Sequence, residues 1–389
     1  MLRKLCLGTL KLLAGVAVAT AAVELLFAFI DATPLRWILP VPPVALYGPD
    51  PDTGYRHRAN VSGLWLTEHR SLVTTSNLGL RDRNRNLNHD GARAVVVGES
   101  FVEALQVDQS ETAVAVAEGI LSRERPGTEV VNLGLAGARP AVDVARLQSE
   151  GRRLTPDLAV IMLSVETLLL PTAMDDSEFT GYRRDARGEF RLSYGFRDTR
   201  GYRFRTSLAG RVYYWLLDHS QVARIINARK NSGLLAEWSD QAAAAPAQRR
   251  EPSFSCAPTL LDDQLALWRD GKPTQFEALL RAFLRDLAAI RLSQGFPIII
   301  ATSGVEARCP SLAAKRAALV EAMRARIEAA SLQLIDLDAR VLAKVGPSGV
   351  ARLRGFGAGI GSGHLNVEGN RVYGEVFADI IRTTLAGHS

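Results

Sequence analysis

The stretch Ala92-Arg93-Ala94-Val95-Val96-Val97-Gly98-Glu99-Ser100 decides the fold. Its apolar, β-branched run stopped by glycine reads as a buried strand. A serine just past such a strand occupies a tight strand-to-helix turn, a position that exposes a nucleophile. A second feature of similar weight lies near the far end, His364 in Gly361-Ser362-Gly363-His364-Leu365-Asn366. A serine and a histidine in these settings read as a nucleophile with its base.

Working outward from residue 92, apolar runs alternate with helical patterns, the sign of a parallel sheet with crossover helices. Strands are expected at 93–97, 129–133, 157–163, 296–302 and 332–336. Helices are expected near 110–124, 141–153 and 368–385, with Thr274 capping and Gly295 ending the helix before the fourth strand. The expected fold class is α/β, a flavodoxin-like sheet with flanking helices, over residues 91–389. Residues 32–90 read as a linker, with prolines at 34, 40, 42 and 43, followed by a small β-rich segment. There Leu64-Trp65-Leu66-Thr67 and Ser71-Leu72-Val73-Thr74-Thr75 pattern as a hairpin.

Residues 1–31 read as an N-terminal transmembrane helix. Leu12 to Ile30 is apolar except for Glu24, and Arg3, Lys4 and Lys11 precede it. About 20 apolar residues cross a bilayer core of roughly 30 Å. The basic flank stays inside, so the remainder is expected in the periplasm or outside the cell, held to the inner membrane by one span. The rival reading is a cleaved signal peptide with Ala19-Thr20-Ala21 as its site.

The chain has 389 residues, 47% hydrophobic and 23% charged, which suits a globular protein with a sizeable core. Its net charge of +6 favours acidic partners, while no zinc-finger spacing or RNA-binding signature supports nucleic acid. Of three cysteines, Cys256 and Cys309 fall in the exported part, where an oxidising compartment permits a disulfide; two unpaired thiols is the other reading.

An insert at 171–256 interrupts the strand–helix rhythm, with an amphipathic helix expected around 207–230. Between 182 and 230 there are twelve Arg or Lys against four Asp or Glu, interleaved with aromatics such as Tyr202, Phe204 and Trp215. Arg200, Arg203 and Arg205 are therefore candidate contacts to an acidic polysaccharide, through stacking and bidentate carboxylate pairing. The plainer reading is a solvated basic surface whose aromatics pack on the main domain.

Ligands of open α/β sheets sit beyond the carboxyl ends of the strands. Ser100, the Gly134–Gly137 turn, Ser164 to Thr167, Asp336 with Asp338, and His364 all fall there if the strand order is flavodoxin-like. Four blocks then carry a resemblance, in order: Gly98-Glu99-Ser100-Phe101, Asn132-Leu133-Gly134-Leu135-Ala136-Gly137, Pro156-Asp157, and His364-Leu365-Asn366 with Gly369. With Asn77-Leu78-Gly79-Leu80-Arg81-Asp82 upstream, the chain resembles the SGNH hydrolase (GDSL esterase) superfamily. It is most similar to a membrane-anchored bacterial branch that includes cell-surface polysaccharide O-acetylation proteins. The resemblance covers about 50–170 and 290–385.

The resemblance implies that Ser100 attacks an ester carbonyl, that His364 takes its proton, and that Gly137 lends a backbone amide to the oxyanion. It implies no metal and no organic cofactor. Three positions depart from the family pattern. Glu99 replaces an aspartate. Glu166-Thr167 stands where an Asn-Asp pair donates to the oxyanion, and an ionised glutamate cannot donate. No carboxylate occupies the positions just before His364, which are Gly361 and Ser362. Asp338 could reach in from the fifth strand as the acid, but its favoured reading is a helix N-cap.

The expected function is an esterase or O-acetyltransferase acting on an exported or cell-surface polysaccharide through a Ser-His dyad. The alternative is a catalytically inactive glycan-binding or scaffold subunit of an envelope polysaccharide system. Expected partners are an acylated glycan, the membrane, and envelope polysaccharide assembly proteins.

Overall fold

The computed structural model describes residues 2–39, 45–168, 174–230, 274–303 and 310–387. It begins with a long helix, α1 (Leu2–Ala32), of which Gly8–Ala32 is long and apolar enough to cross a membrane. Two antiparallel hairpins follow. β1 (Tyr47–Asp50) pairs with β2 (Gly54–His57), and β3 (Ser62–Trp65) pairs with β4 (Ser71–Thr74), close to the expected hairpin.

The main sheet is built from β5 (Arg93–Gly98), β6 (Glu129–Gly134), β7 (Leu158–Ser164), β10 (Ile298–Ser303) and β11 (Gln333–Asp336). Its order is β11-β10-β7-β5-β6, and every pair is parallel. Numbered along the chain, these strands run second, first, third, fourth, fifth across the sheet, which is the flavodoxin-like order. The first strand therefore lies inside the sheet, between β6 at the edge and β7 in the middle, and Gly98 aligns with both Gly134 and Met162.

Alternation along β5 builds the core on both faces of the sheet. Val95 and Val97 join one apolar cluster with Leu147, Phe283 and Met323, while Ala94 and Val96 join the other with Ala117, Val372 and Phe377. The first face is covered by α4 (Pro140–Leu154) and by a helix at Gln275–Gln294. The second is covered by α3 (Ala113–Glu124) and by the last helix, Val367–Ala386. The punctuation works as read: Thr274 accepts from the Glu277 amide, and Gly295 ends the helix with φ +83°.

Between β7 and β10 lie β8 (Gly181–Arg184), β9 (Phe190–Ser193), α5 (Arg200–Thr206), α6 (Leu208–His219) and α7 (Gln221–Lys230). The helix expected around 207–230 is thus two helices. Serines start both: Ser207 accepts from Gly210, and Ser220 accepts from Ala223. A side chain that captures the amides of the next turn begins a new helix rather than continuing an old one. Cys256 and Cys309 lie outside the described residues, as does the run Ala242–Pro246.

Candidate active site

Ser100 is the first residue of a short helix, α2 (Ser100–Glu103), that leaves the end of β5 through Glu99 in extended conformation. The turn is tight because the next strand's loop is stitched to it. The Leu135 amide donates to the Gly98 carbonyl at 2.9 Å, and Asn132 donates to the Val102 carbonyl at 2.8 Å while accepting from the Gly134 amide. Gly134 is required here, since a Cβ would stand 2.2 Å from the Glu103 backbone nitrogen. Gly137 lies three residues on with φ +70°, and the Tyr55 hydroxyl donates to the carbonyl just before it.

His364 closes the site from the other end of the chain. Asn366 caps the last helix by accepting from Gly369, and its amide donates to the Arg352 and Gly355 carbonyls. That anchorage presents the imidazole to the serine: Nε2 lies 2.9 Å from Ser100 Oγ. The Phe101 ring packs against the imidazole, centroids 5.4 Å apart.

The acid partner is Glu68. Its Oε1 lies 2.7 Å from His364 Nδ1, and its Oε2 accepts the His364 backbone amide at 3.0 Å. A carboxylate only accepts, so the ring proton sits on Nδ1 and Nε2 is left to take a proton from Ser100. The three side chains therefore form one hydrogen-bonded line, Ser100–His364–Glu68. Partial burial works to raise the Glu68 carboxyl. The bonds from the His364 ring and amide, joined by the ring's charge when it is protonated, overcome it and hold Glu68 below the usual carboxylate range.

Glu68 occupies the turn between β3 and β4 at φ +65°, a left-handed conformation uncommon for a non-glycine residue. Neighbouring contacts hold it there. His69 contacts the Gln106 carbonyl and stacks on Phe356, Ser71 donates to the Leu105 carbonyl, and the Leu72 amide donates to Asp108. On the histidine side, Gly363 has φ +80°, and a Cβ there would lie 2.8 Å from Glu68 Oε2. Glycine before the histidine is what admits the carboxylate.

Glu68 stands where the acid was sought, and Asp338 fills neither of its two readings. Asp338 is buried in the first turn of a helix at Leu337–Val345, where it accepts from the Tyr373 hydroxyl at 3.5 Å. The cap of that helix is Asp336, which accepts from the Ala339 amide. The expected dyad is likewise a triad. Sequence reasoning missed Glu68 because it sits in a polar turn, Thr67-Glu68-His69-Arg70, with nothing to separate it from surface charge. The available signal was indirect: a histidine preceded by Gly-Ser-Gly needs its acid from elsewhere.

Glu166 falls in the turn Val165–Leu168 after β7, at the expected rim, and its side chain is outside the described set. Thr167 is not a free donor, because its hydroxyl donates to the Ser164 carbonyl at 2.6 Å. Glu99 acts on an unexpected neighbour, Asp143 in the first turn of α4. Burial drives the Asp143 carboxyl well above its usual range, and the negative charge of Glu99 pushes the same way.

Two more buried groups support the site from behind. Glu103, one turn past Ser100, accepts from the Tyr47 hydroxyl at 2.7 Å and lies 2.5 Å from His57 Nε2. Burial pushes the His57 imidazole down, against the opposing pull of Glu103. These bonds fasten the β1–β2 hairpin to the helix that carries Ser100.

Arg200, Arg203 and Arg205 lie on α5, which packs against β1, and Arg203 pairs with Asp198 at 2.9 Å. Among the described residues, no hydrogen bond or ion pair links them to Ser100 or His364. Of the interleaved aromatics, Tyr182, Phe190, Phe196 and Tyr202 are buried in the body, as the plainer reading has it, whereas Phe204 and Trp215 are exposed. A cleft lined by Gly91, Asp157, Gln294 and Pro297 opens where the strands begin, at the edge opposite the triad. It holds none of these groups, and ligands of such sheets bind at the other edge.

No protein-family model matches the chain, and no curated protein does. Among solved structures, the chain is similar to TesA at 17% identity and a TM-score of 0.34, over 73% of this chain and 94% of that one. It is similar to a catalytic mutant of Axe2, an acetylxylan esterase from Geobacillus stearothermophilus, at 12% identity and 0.35, over 75% and 94%. It is also similar to a lipolytic protein of the G-D-S-L family from Veillonella parvula at 9% and 0.36, over 75% and 98%. The α/β fold stands on the sheet order and register without them.

Proposed function

We propose that this chain is a serine acyl-ester enzyme of the SGNH type, held to a membrane by α1 and acting on acylated glycans outside the cytoplasm. The observation that carries the reading is the single line of contacts, 2.9 Å from Ser100 Oγ to His364 Nε2 and 2.7 Å from Nδ1 to Glu68 Oε1. In the first step Ser100 Oγ attacks the ester carbonyl and its proton passes to Nε2. The imidazolium then has its other N–H against a carboxylate already in place, so the charge that forms needs no rearrangement. Collapse of the tetrahedral adduct breaks the C–O bond to the leaving alcohol, which takes the proton from Nε2. The acyl group is left on Ser100, and water or a sugar hydroxyl removes it by the same steps in reverse.

Exposure fits an open site. The His364 side chain is 27% exposed and that of Glu68 is 31% exposed, so a bulky alcohol can approach without a closing lid. The reading of a catalytically silent glycan-binding or scaffold subunit rested on two gaps, the acid missing before the histidine and the asparagine missing at Glu166; Glu68 speaks against the first, and the second stands.

The test uses the full chain in detergent, with an aryl acetate and an acetylated oligosaccharide as substrates and a phosphonate ester as a covalent probe. We expect turnover, and a mass increment on the peptide carrying Ser100 that Ser100→Ala abolishes. Equal rates for wild type and Ser100→Ala, with no increment, would overturn the reading.

A further inference from the structure

The insert helices carry an apolar stripe that the catalytic reading leaves unused. On α6, Leu208, Val212, Trp215 and Leu216 are 70%, 50%, 57% and 42% exposed. Their spacing of four, three and one puts them on one face of the helix. Ile226 on α7 is 64% exposed, and Arg200, Arg203 and Arg211 are exposed nearby in the sequence.

What covers this face follows from how α6 and α7 are fastened. Glu24, the one charge in the apolar part of α1, caps α7 from outside: it accepts from the Ser220 hydroxyl and from the Gln221 and Val222 amides. A carboxylate at a helix N-terminus meets unpaired N–H groups and the positive end of the helix dipole. Further along, Arg224 lies 3.8 Å from Asp31 of α1 and donates to the Leu217 and Asp218 carbonyls, tying both insert helices to α1. Asp218 in turn pairs with Arg58 beside β2. The α6–α7 corner is thus clamped between α1 and the catalytic body.

Depth sets the surroundings. A helix rises about 1.5 Å per residue, so Glu24 lies roughly 10 Å below Asp31 along α1. A core of about 30 Å takes some 20 residues, and counted from Leu12, just past Lys11, these end at Asp31. The α6–α7 corner therefore meets α1 below the level of the lipid headgroups. Glu24 is tolerated there because α7 satisfies it.

We propose that α6 and the start of α7 form a membrane-interface element, seated in the headgroup–acyl boundary of an anionic leaflet beside α1. Leu208, Val212, Trp215 and Leu216 enter the acyl region, and the neighbouring arginines meet lipid phosphates. Interfacial helices have this composition, with an apolar face buried about 5–10 Å and basic residues beside it. The proposal rests on α1 being a membrane span, but not on the ester chemistry. Its consequence is orientation, since α6 fixes the triad's height and facing over the bilayer.

The experiment uses the full chain, with Cys6, Cys256 and Cys309 replaced by serine, in nanodiscs of phosphatidylcholine and phosphatidylglycerol. A nitroxide is placed by Val212→Cys, and at Glu328 as an aqueous reference. We expect the oxygen-to-nickel-chelate collision ratio to be several-fold higher at 212 than at 328. Equal ratios in a chain that resists carbonate extraction would overturn the proposal while leaving the anchor intact, whereas carbonate release of the chain would overturn the anchor and the proposal with it. Exclusion of both probes from 212, alike in nanodiscs and detergent, would mean that a protein partner covers the face, and would also overturn it. A label-free check uses lipids brominated near the headgroup: Trp215→Phe should remove a lipid-quenched part of the tryptophan emission, and unchanged quenching would count against the proposal.

Discussion

Ser100 and Glu68 stand at opposite ends of one hydrogen-bonded line, yet the molecule holds them by different means. Ser100 leaves a fully buried interior strand, and loop-to-strand hydrogen bonds fix its turn. Glu68 sits at the tip of a two-stranded hairpin, in a left-handed conformation, held by side-chain contacts to the 104–108 loop and by His364 itself. The difference teaches that the place of Ser100 is a property of the sheet. The acid's place is a property of docking: it exists only when the hairpin lies against the loop that follows α2.

The largest effect should come from the sheet-borne end. Ser100→Ala should lower kcat by about 10³–10⁶-fold, the range seen when a nucleophile is removed from a triad. Stability should barely move, because the Ser100 hydroxyl contributes one partly exposed contact to His364. Rates on an aryl acetate and a thermal melt check both parts.

The hairpin-borne end should matter nearly as much, and a second acid makes the comparison sharp. Glu68→Gln should lower kcat by about 10²–10⁴-fold with KM little changed, since it removes the partner of the imidazolium and not a substrate contact. Asp338→Asn should leave kcat within about twofold. If the Asp338 variant loses activity and the Glu68 variant keeps it, the triad assigned here is wrong.

A third change tests the docking itself. Gly363→Ala adds a Cβ 2.8 Å from Glu68 Oε2, at a backbone φ of +80°. The strained backbone alone costs about 1–3 kcal/mol. The carboxylate must also shift, so kcat should fall by about tenfold or more while Ser100 remains open to a phosphonate probe. Loss of stability with kcat intact would mean that Glu68 is not positioned through this contact.

The same contrast explains what the sequence revealed. The runs at 93–98, 129–134 and 158–164 are long and apolar, and burial on both faces leaves them little other reading. Ser100 and His364 were legible because each adjoins a regular element whose end could be recognised. Glu68 was not, because its role depends on a partner 296 residues away and on a turn that looks like any polar turn. Asp338 misled for the converse reason: it follows a strand at the right rim, but the helix geometry turns it to Tyr373 and leaves the cap to Asp336. Splitting the insert helix at Ser220 needed knowledge of Glu24, which completes the cap from another part of the chain.

The smallest effect is one of pH, and its sign separates docking from simple burial. Glu68 titrates below its ordinary value of 4.5 in the folded protein because the bonds from His364 outweigh partial burial. A carboxylate lowered in this way adds stability that is fully present above the ordinary value and is lost as pH falls through the folded one. The difference in melting temperature between wild type and Glu68→Gln should therefore hold steady from neutral pH down to about 5 and narrow below about 4.5. Burial without the histidine would raise the carboxyl instead, and wild type would then gain on the variant as the solution is acidified. A gap that widens below pH 4.5 would mean that the hairpin only shields Glu68 from water. A gap that closes would mean that His364 holds the acid in place before any substrate arrives.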